Sequence, residues 1–376
     1  MNYFLRFVSV SFLLISCTSQ KNISFSDTSH LKLVGQYDIP YNKSFRNTII
    51  GGLSGIDYDA KHKIYYLISD DRSEFDASRF YSAKISFGSK GIDSVAFVSV
   101  NNMLQPDGTV YPNSKQDPYH APDPEAMRYN PKTNQLVWSS EGERIVRKEG
   151  VVLEDPSIRI INRQGKYIDS FVLPSNMHMQ PVEKGPRRNG VFEGISFNQN
   201  YNKLFVSVEE PLYEDGPRAG LYDSTGWVRF IKFDVKTRTP EAEYAYKIDP
   251  VAYPANPPGA FKINGVPDIL AINDHQLLVI ERSFSTGRMP CTIKVYLAEL
   301  GGASNVLNTG SLQNGVFTPI TKRLVVNMDD LGIYIDNIEG MTFGPKLPGG
   351  HPSLIFVSDN NFSKEEVTQL LLFEVQ

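Results

Sequence analysis

Acidic side chains recur at two fixed places in five similar stretches of this sequence. Glu125, Glu193, Asp268 and Glu339 open the segments PEAMRY, FEGISF, PDILAI and IEGMTF, and Ser54 holds the same slot in LSGIDY. Asp70, Glu141, Glu209, Glu281 and Asp359 close the apolar segment that follows each of them. Carboxylates gathered in one place repel, and the repulsion is relieved by protonation, by Arg or Lys, or by a cation. A set of oxygen ligands suits calcium, or magnesium with more of its water retained. The candidate metal ligands are therefore Glu125, Glu193, Asp268 and Glu339, with Asp70, Glu209 and Asp359 as a second group. A structural role competes on equal terms, in which the same acids accept backbone amides of neighbouring sheets and hold them in register.

Arginine follows several of the second-segment acids, as in Asp71-Arg72, Glu143-Arg144 and Glu281-Arg282. A guanidinium fork matches phosphate or carboxylate oxygens, so Arg72 and Arg282 are the candidates for ligand contact, against simple pairing with the acids around them. Glu193, flanked by long connections, is the candidate base. His120 in YHAPDPE and His178 in NMHMQP are further acid–base candidates, against the plainer reading of solvated loop histidines. The stretch Gly52-Leu53-Ser54-Gly55 lacks the spacing of a nucleophile elbow, and Ser54 reads as an acid lost from the series. No contiguous calcium loop and no His and Glu spacing for zinc is present.

The elements that must position these residues are short strands. Each copy reads as strand, polar turn, strand, and fixed-period recurrence of this kind marks a repeat architecture. In an antiparallel hairpin the start of the first strand and the end of the second lie at the same end, so all five copies place acids on one rim. Two more strand-like segments follow each of the first four hairpins, and one, TQLLLFEVQ, follows the fifth. The segment LKLVGQYDIP from Leu31 belongs to no other copy and supplies the missing strand. The fold expected is all-β, a propeller of five four-stranded blades closed by pairing of the two termini, with a sixth degenerate blade as the alternative. Short turns such as AKHK, NPKTN and NRQG fall on one face. Long loops rich in Pro, Gly and aromatics, 105–123, 176–191, 211–226 and 250–266, fall on the face with the acids.

Composition is consistent with one large domain: 376 residues, 41% hydrophobic, 22 Phe and 19 Tyr. A net charge of −4 and pI near 5.9 leave no nucleic-acid footprint, and the basic run Lys184 to Arg188 reads as a solvated loop. Arg6 precedes the apolar run FVSVSFLLIS, too short to span a membrane, which ends at Leu14-Ile15-Ser16-Cys17. That tetrapeptide looks like the lipobox of bacterial lipoproteins, with Cys17 the lipidated residue; a plain secretory signal is the alternative. The division expected is a signal peptide over 1–16, a polar tether over 17–30 and the propeller over 31–376. With Cys17 used as an anchor, Cys291 is left alone as an inert buried thiol.

The ordered set GGLSGIDYD, YYLISDDR, PDPEAM, WSSEGE, NGVFEGISF, LFVSVEEPL, LLVIERSF, IEGMTF and IFVSDNNF resembles the phytase-like domain family, also called "esterase-like activity of phytase". The resemblance covers nearly the whole mature chain. It implies an envelope-anchored bacterial propeller and, by the family's name, a hydrolase of phosphate or carboxylic esters. The reading that follows is a metal-assisted hydrolase with calcium as cofactor. Glu193, Arg72, Arg282 and His120 are its catalytic candidates, and a small anionic or ester substrate its partner. A monomer that meets the membrane only through its lipid is expected. The alternative is a non-catalytic ligand-binding or scaffold propeller on the same anchor.

Overall fold

The computed structural model describes residues 25–26, 29–88, 90–223 and 225–376; the lipobox and Cys17 lie outside these residues. Five antiparallel sheets form a ring, each a meander running outward from the axis. Blade 1 is built from Leu53–Asp59, Ile64–Ser69, Arg79–Gly88 and Gly91–Asn102, in that order. Blade 2 follows with Pro124–Asn130, Gln135–Ser140, Ser157–Asn162 and Tyr167–Ser170, and blade 3 with Phe192–Phe197, Lys203–Val208, Val228–Asp234 and Pro240–Tyr246. Blade 4 has a short inner strand, Ile269–Ala271, then Gln276–Ser285, Arg288–Glu299 and Thr321–Asn327. Blade 5 takes three strands from the end of the chain, Asn337–Phe343, Ser353–Asp359 and Thr368–Val375, and its outer strand, Leu31–Ile39, from the beginning. Leu31 pairs with Val375 and Ile39 with Thr368, so the two ends of the propeller close one sheet.

The second strand of each blade is apolar on both sides, as in YYLIS, LVWSS and LFVSV, because a neighbouring blade covers each face of its sheet. Between blades 5 and 1, for example, Leu53, Ile56, Leu67 and Tyr81 pack against Ile355, Val357 and Leu370. Close approach of the innermost strands is set by glycine. A Cβ on Gly194 would stand 2.6 Å from the Cα of Asp268, and one on Gly340 would stand 2.7 Å from the carbonyl oxygen of Ser54.

Three features go beyond the sequence reading. In blade 4 the hairpin Gln276–Ser285/Arg288–Glu299 runs past the rim, where Lys262–Gly265 pairs with it. In blade 2 a separate hairpin, Glu143–Arg147 with Gly150–Glu154, stands in the connection on the acidic face. Within the segment expected as a polar tether, Phe25 is buried and His30 exchanges backbone hydrogen bonds with Gln376.

Candidate acidic site on the propeller axis

The inner strands carry the first set of acids, and four of the five strands are bulged there. Register slips between Leu53 and Gly55, Pro124 and Met127, Phe192 and Ile195, and Ile338 and Gly340, so the slot residue is released from the ladder. A bulge re-aims a side chain. The result is a cluster under the long loops. Carboxylate oxygens of Asp70, Asp123 and Glu125 lie within 4.8 Å of one another, and so do those of Glu125, Glu141 and Glu193.

Burial and mutual repulsion govern this cluster. Burial, then the charges of Glu193 and Asp70, hold Glu125 well above the ordinary carboxylate range. Burial, then Glu141 and Glu209, do the same to Glu193. Glu141 and Asp70 are raised in the same way, by burial first and by Asp123 next. Asp70 and Asp123 bring carboxylate oxygens within 4.8 Å of each other, a proximity that a proton or a cation would relieve. Glu125 and Glu193 are each 7% exposed and accept no hydrogen bond from any described residue. A buried carboxylate without a donor is costly to keep charged.

Within the cluster Glu141 accepts the amide of Val191; the remaining acids of the ring have partners of their own, and the structure does not bring them into the cluster. Asp268, expected as a ligand, is held by Arg128, whose Nη2 donates to both carboxylate oxygens at 2.8 and 2.7 Å. The amides of Ile269 and Met341 also donate to it, so Asp268 braces the ring. Burial nevertheless lifts it to about 6, against the pull of Arg128. Glu339 accepts from Asn337 and lies 3.2 Å from Arg282; burial, opposed by Arg282, leaves it at about 7. Glu209 accepts from Arg282 at 2.7 Å. Asp359 accepts the amide of Asn361, and Glu281 is engaged by Tyr246, Lys322 and Asn264. Ser54, the residue in place of an acid, donates from its hydroxyl to the carbonyl of Glu125 at 2.5 Å.

The two arginine candidates line the cluster with part of their donors in use. Arg72 donates from Nη1 to Glu143 at 2.8 Å and lies 3.6 Å from Asp123, while its buried Nε and Nη2 have no partner among the described residues. Arg282 bridges Glu209 and Asn337, and its buried Nε is unpartnered. His120 is turned away, 67% exposed and paired with Asp117; His178 pairs with Asp155. The run Lys184 to Arg188 is not simply solvated. Arg187 donates to the carbonyls of Pro211 and Gly216, and Arg188 grips Glu143 with two donors, fixing the loop over the site. Burial works to raise Glu143, but Arg188 and Arg72 hold it below its usual value.

Several residues of the site were not among the candidates. Asp123 was visible in the DPE triplet, and Glu141 occupies the same slot as Asp70 and Glu209. Arg128 lies three residues beyond Glu125 on the same strand, hence deeper along the axis. It also donates to the carbonyl of Ile56, and near it Asp57 accepts from the Tyr129 amide and the Thr342 hydroxyl. Arg128 thus spans blades 1, 2 and 4 and closes the axis beneath the acids. The sequence signal was the layer at that position, Asp57, Arg128, Ser196, Ala271 and Thr342, which holds only small or polar residues.

An all-β ring of five blades with a buried acidic cluster at the loop end of its axis defines a β-propeller with an axial site. The chain belongs to the Phytase-like family, described as "esterase-like activity of phytase", which matches residues 48–362. No curated protein matches the sequence. Among solved structures, it is similar to the periplasmic gluconolactonase of Pseudomonas aeruginosa at 10% identity and TM-score 0.38, covering 88% of this chain and 90% of that one. A gluconolactonase of Xanthomonas campestris is similar at 7% identity and TM-score 0.38, with 94% of each chain covered. The GH32 beta-fructofuranosidase BmSUC1 of Bombyx mori is similar at 10% identity and TM-score 0.42, covering 87% of this chain and 60% of that one.

Proposed function

We propose that the chain is an envelope-anchored hydrolase of phosphate or carboxylic esters whose axial acids hold a divalent cation, calcium by the chemistry of the ligands. The observation that carries this reading is the state of Glu125 and Glu193: both are buried, and neither accepts a hydrogen bond from a described residue. Acids that merely brace blades look like Asp268, with amides and an arginine on its oxygens. Glu125, Glu141 and Glu193, with Asp70 and Asp123, form an oxygen-only donor set that fits a hard cation. Such a cation, when bound, polarises a phosphoryl or acyl oxygen and lowers the pKa of a water.

The remaining roles fall to the protein. Glu193, buried and with no donor from a described residue on its carboxylate, would take a proton from the attacking water. Arg72 turns its unpartnered Nη2 and Nε toward the developing anion, and Arg282 balances charge on the Glu209 and Glu339 side. Arg188 and Glu143 hold Arg72 in place. The family's description and the lipobox-like Cys17 support an exported, lipid-anchored ester hydrolase. The test is a hydrolysis screen with phosphomonoester and acyl ester probes, with and without chelator, on the wild type and Glu193→Gln. Activity abolished by chelator and by the substitution is expected. Activity indifferent to both would refute the site.

A further inference from the structure

The two carboxylate groups of the cluster share a member. Glu125 closes a set with Asp70 and Asp123 on one side and a set with Glu141 and Glu193 on the other, with the oxygens of each set within 4.8 Å. We propose that the site is dinuclear: two divalent cations, with Glu125 giving one oxygen to each. This rests on the cation reading above and adds the number of ions and the bridge.

Three observations support it. Glu125 has both oxygens available, since it is 93% buried by its 7% exposure and accepts no hydrogen bond from a described residue. A terminal ligand would need only one of them. The charge is the second: the five acids carry −5 when ionised, so one dication leaves −3 in a buried space and two leave −1. Arg72, 3.6 Å from Asp123 and shared with Glu143, offsets at most one of these charges and does not make up the larger deficit. The third is the difference between the two sets. Glu125, Glu141 and Glu193 are all buried, whereas Asp70 is half-buried. The inner set suits a resident ion, and the outer set an ion that meets water and an incoming ester oxygen. Two ions that share ligands at about 3.5–4 Å clamp the attacking and leaving oxygens of a displacement.

Calcium stoichiometry on the purified full chain, by equilibrium dialysis, tests the number, and manganese substitution read by electron paramagnetic resonance tests the bridge. Two equivalents and an exchange-coupled manganese spectrum are expected for the wild type. Asp70→Asn with Asp123→Asn should keep one equivalent, as should Glu141→Gln with Glu193→Gln. Glu125→Gln should abolish the coupling. Circular dichroism confirms that each variant is folded, and these substitutions remove repulsion rather than packing. One equivalent on the wild type, or two uncoupled ions, would overturn the dinuclear proposal while leaving a cation site standing. No bound calcium at all would remove the cation reading itself.

Discussion

Arg128→Met isolates the element that closes the axis. Arg128 and Asp268 are 3% and 1% exposed in their side chains, and Nη2 of Arg128 donates to both carboxylate oxygens. Removing one partner of a buried pair costs about 3–5 kcal/mol, because the other charge is left without compensation. The amides of Ile269 and Met341 still donate to Asp268, so the lower end, about 3 kcal/mol, is expected at pH 8. The penalty should depend on pH with a definite sign. Asp268 sits at about 6 in the folded protein, above its ordinary value, so its neutral form is favoured on folding. The stability it contributes is present in full below pH 4 and is lost as pH rises through about 6. Without the arginine its pKa moves higher still, and the loss extends further up the scale. Urea denaturation at pH 5 and pH 8 should therefore show a small penalty at the first and the full one at the second. The double variant with Asp268→Asn should recover about 2 kcal/mol of it, a coupling typical of residues in contact. An equal penalty at both pH values, or no recovery in the double variant, would refute the assignment of Asp268 as a brace.

Glu125→Gln and Glu193→Gln should each stabilise the cation-free protein at pH 8, by about 1 kcal/mol, while weakening calcium binding; urea midpoints with and without chelator read both signs. Calcium affinity should rise with pH through the neutral range, because Glu125, Glu193, Glu141 and Asp70 are all held above their usual values and must lose protons to bind, and calorimetry in buffers of different ionisation heat counts those protons. Gly194→Ala should cost about 2 kcal/mol or more, because its Cβ would meet the backbone of Asp268 at 2.6 Å, and a thermal midpoint unchanged from wild type would contradict the close packing of blades 3 and 4.

The blades were legible because each second strand must be apolar on both faces, which leaves a continuous run such as YYLIS or LFVSV between polar turns. The ring closure was legible because Leu31–Ile39 and Thr368–Val375 were each a strand without a blade. The site was legible only in part. Glu125, Glu193 and Asp268 share one slot in the repeat, yet Arg128, distant in sequence, converts Asp268 into a brace and leaves the other two bare. No local pattern carries that information. The bulges at the acid slots were equally hidden. Arg188 was read as a solvated loop because its partner, Glu143, stands on a hairpin that the strand count had not resolved. His120 looked poised beside the DPE triplet, but the loop turns it to Asp117.

The central claim is that the bare acids Glu125 and Glu193 exist to hold a cation. Its most direct measurement is the unfolding free energy of the full chain at pH 8 as calcium is raised from chelator-buffered levels to saturation. A ligand that binds only the folded state adds about 2.7 kcal/mol at a hundred times its dissociation constant. The account predicts a gain of that order in the wild type, lost in the double variant Glu125→Gln, Glu193→Gln. A wild type whose stability is indifferent to calcium, or a double variant that gains as much, would contradict it.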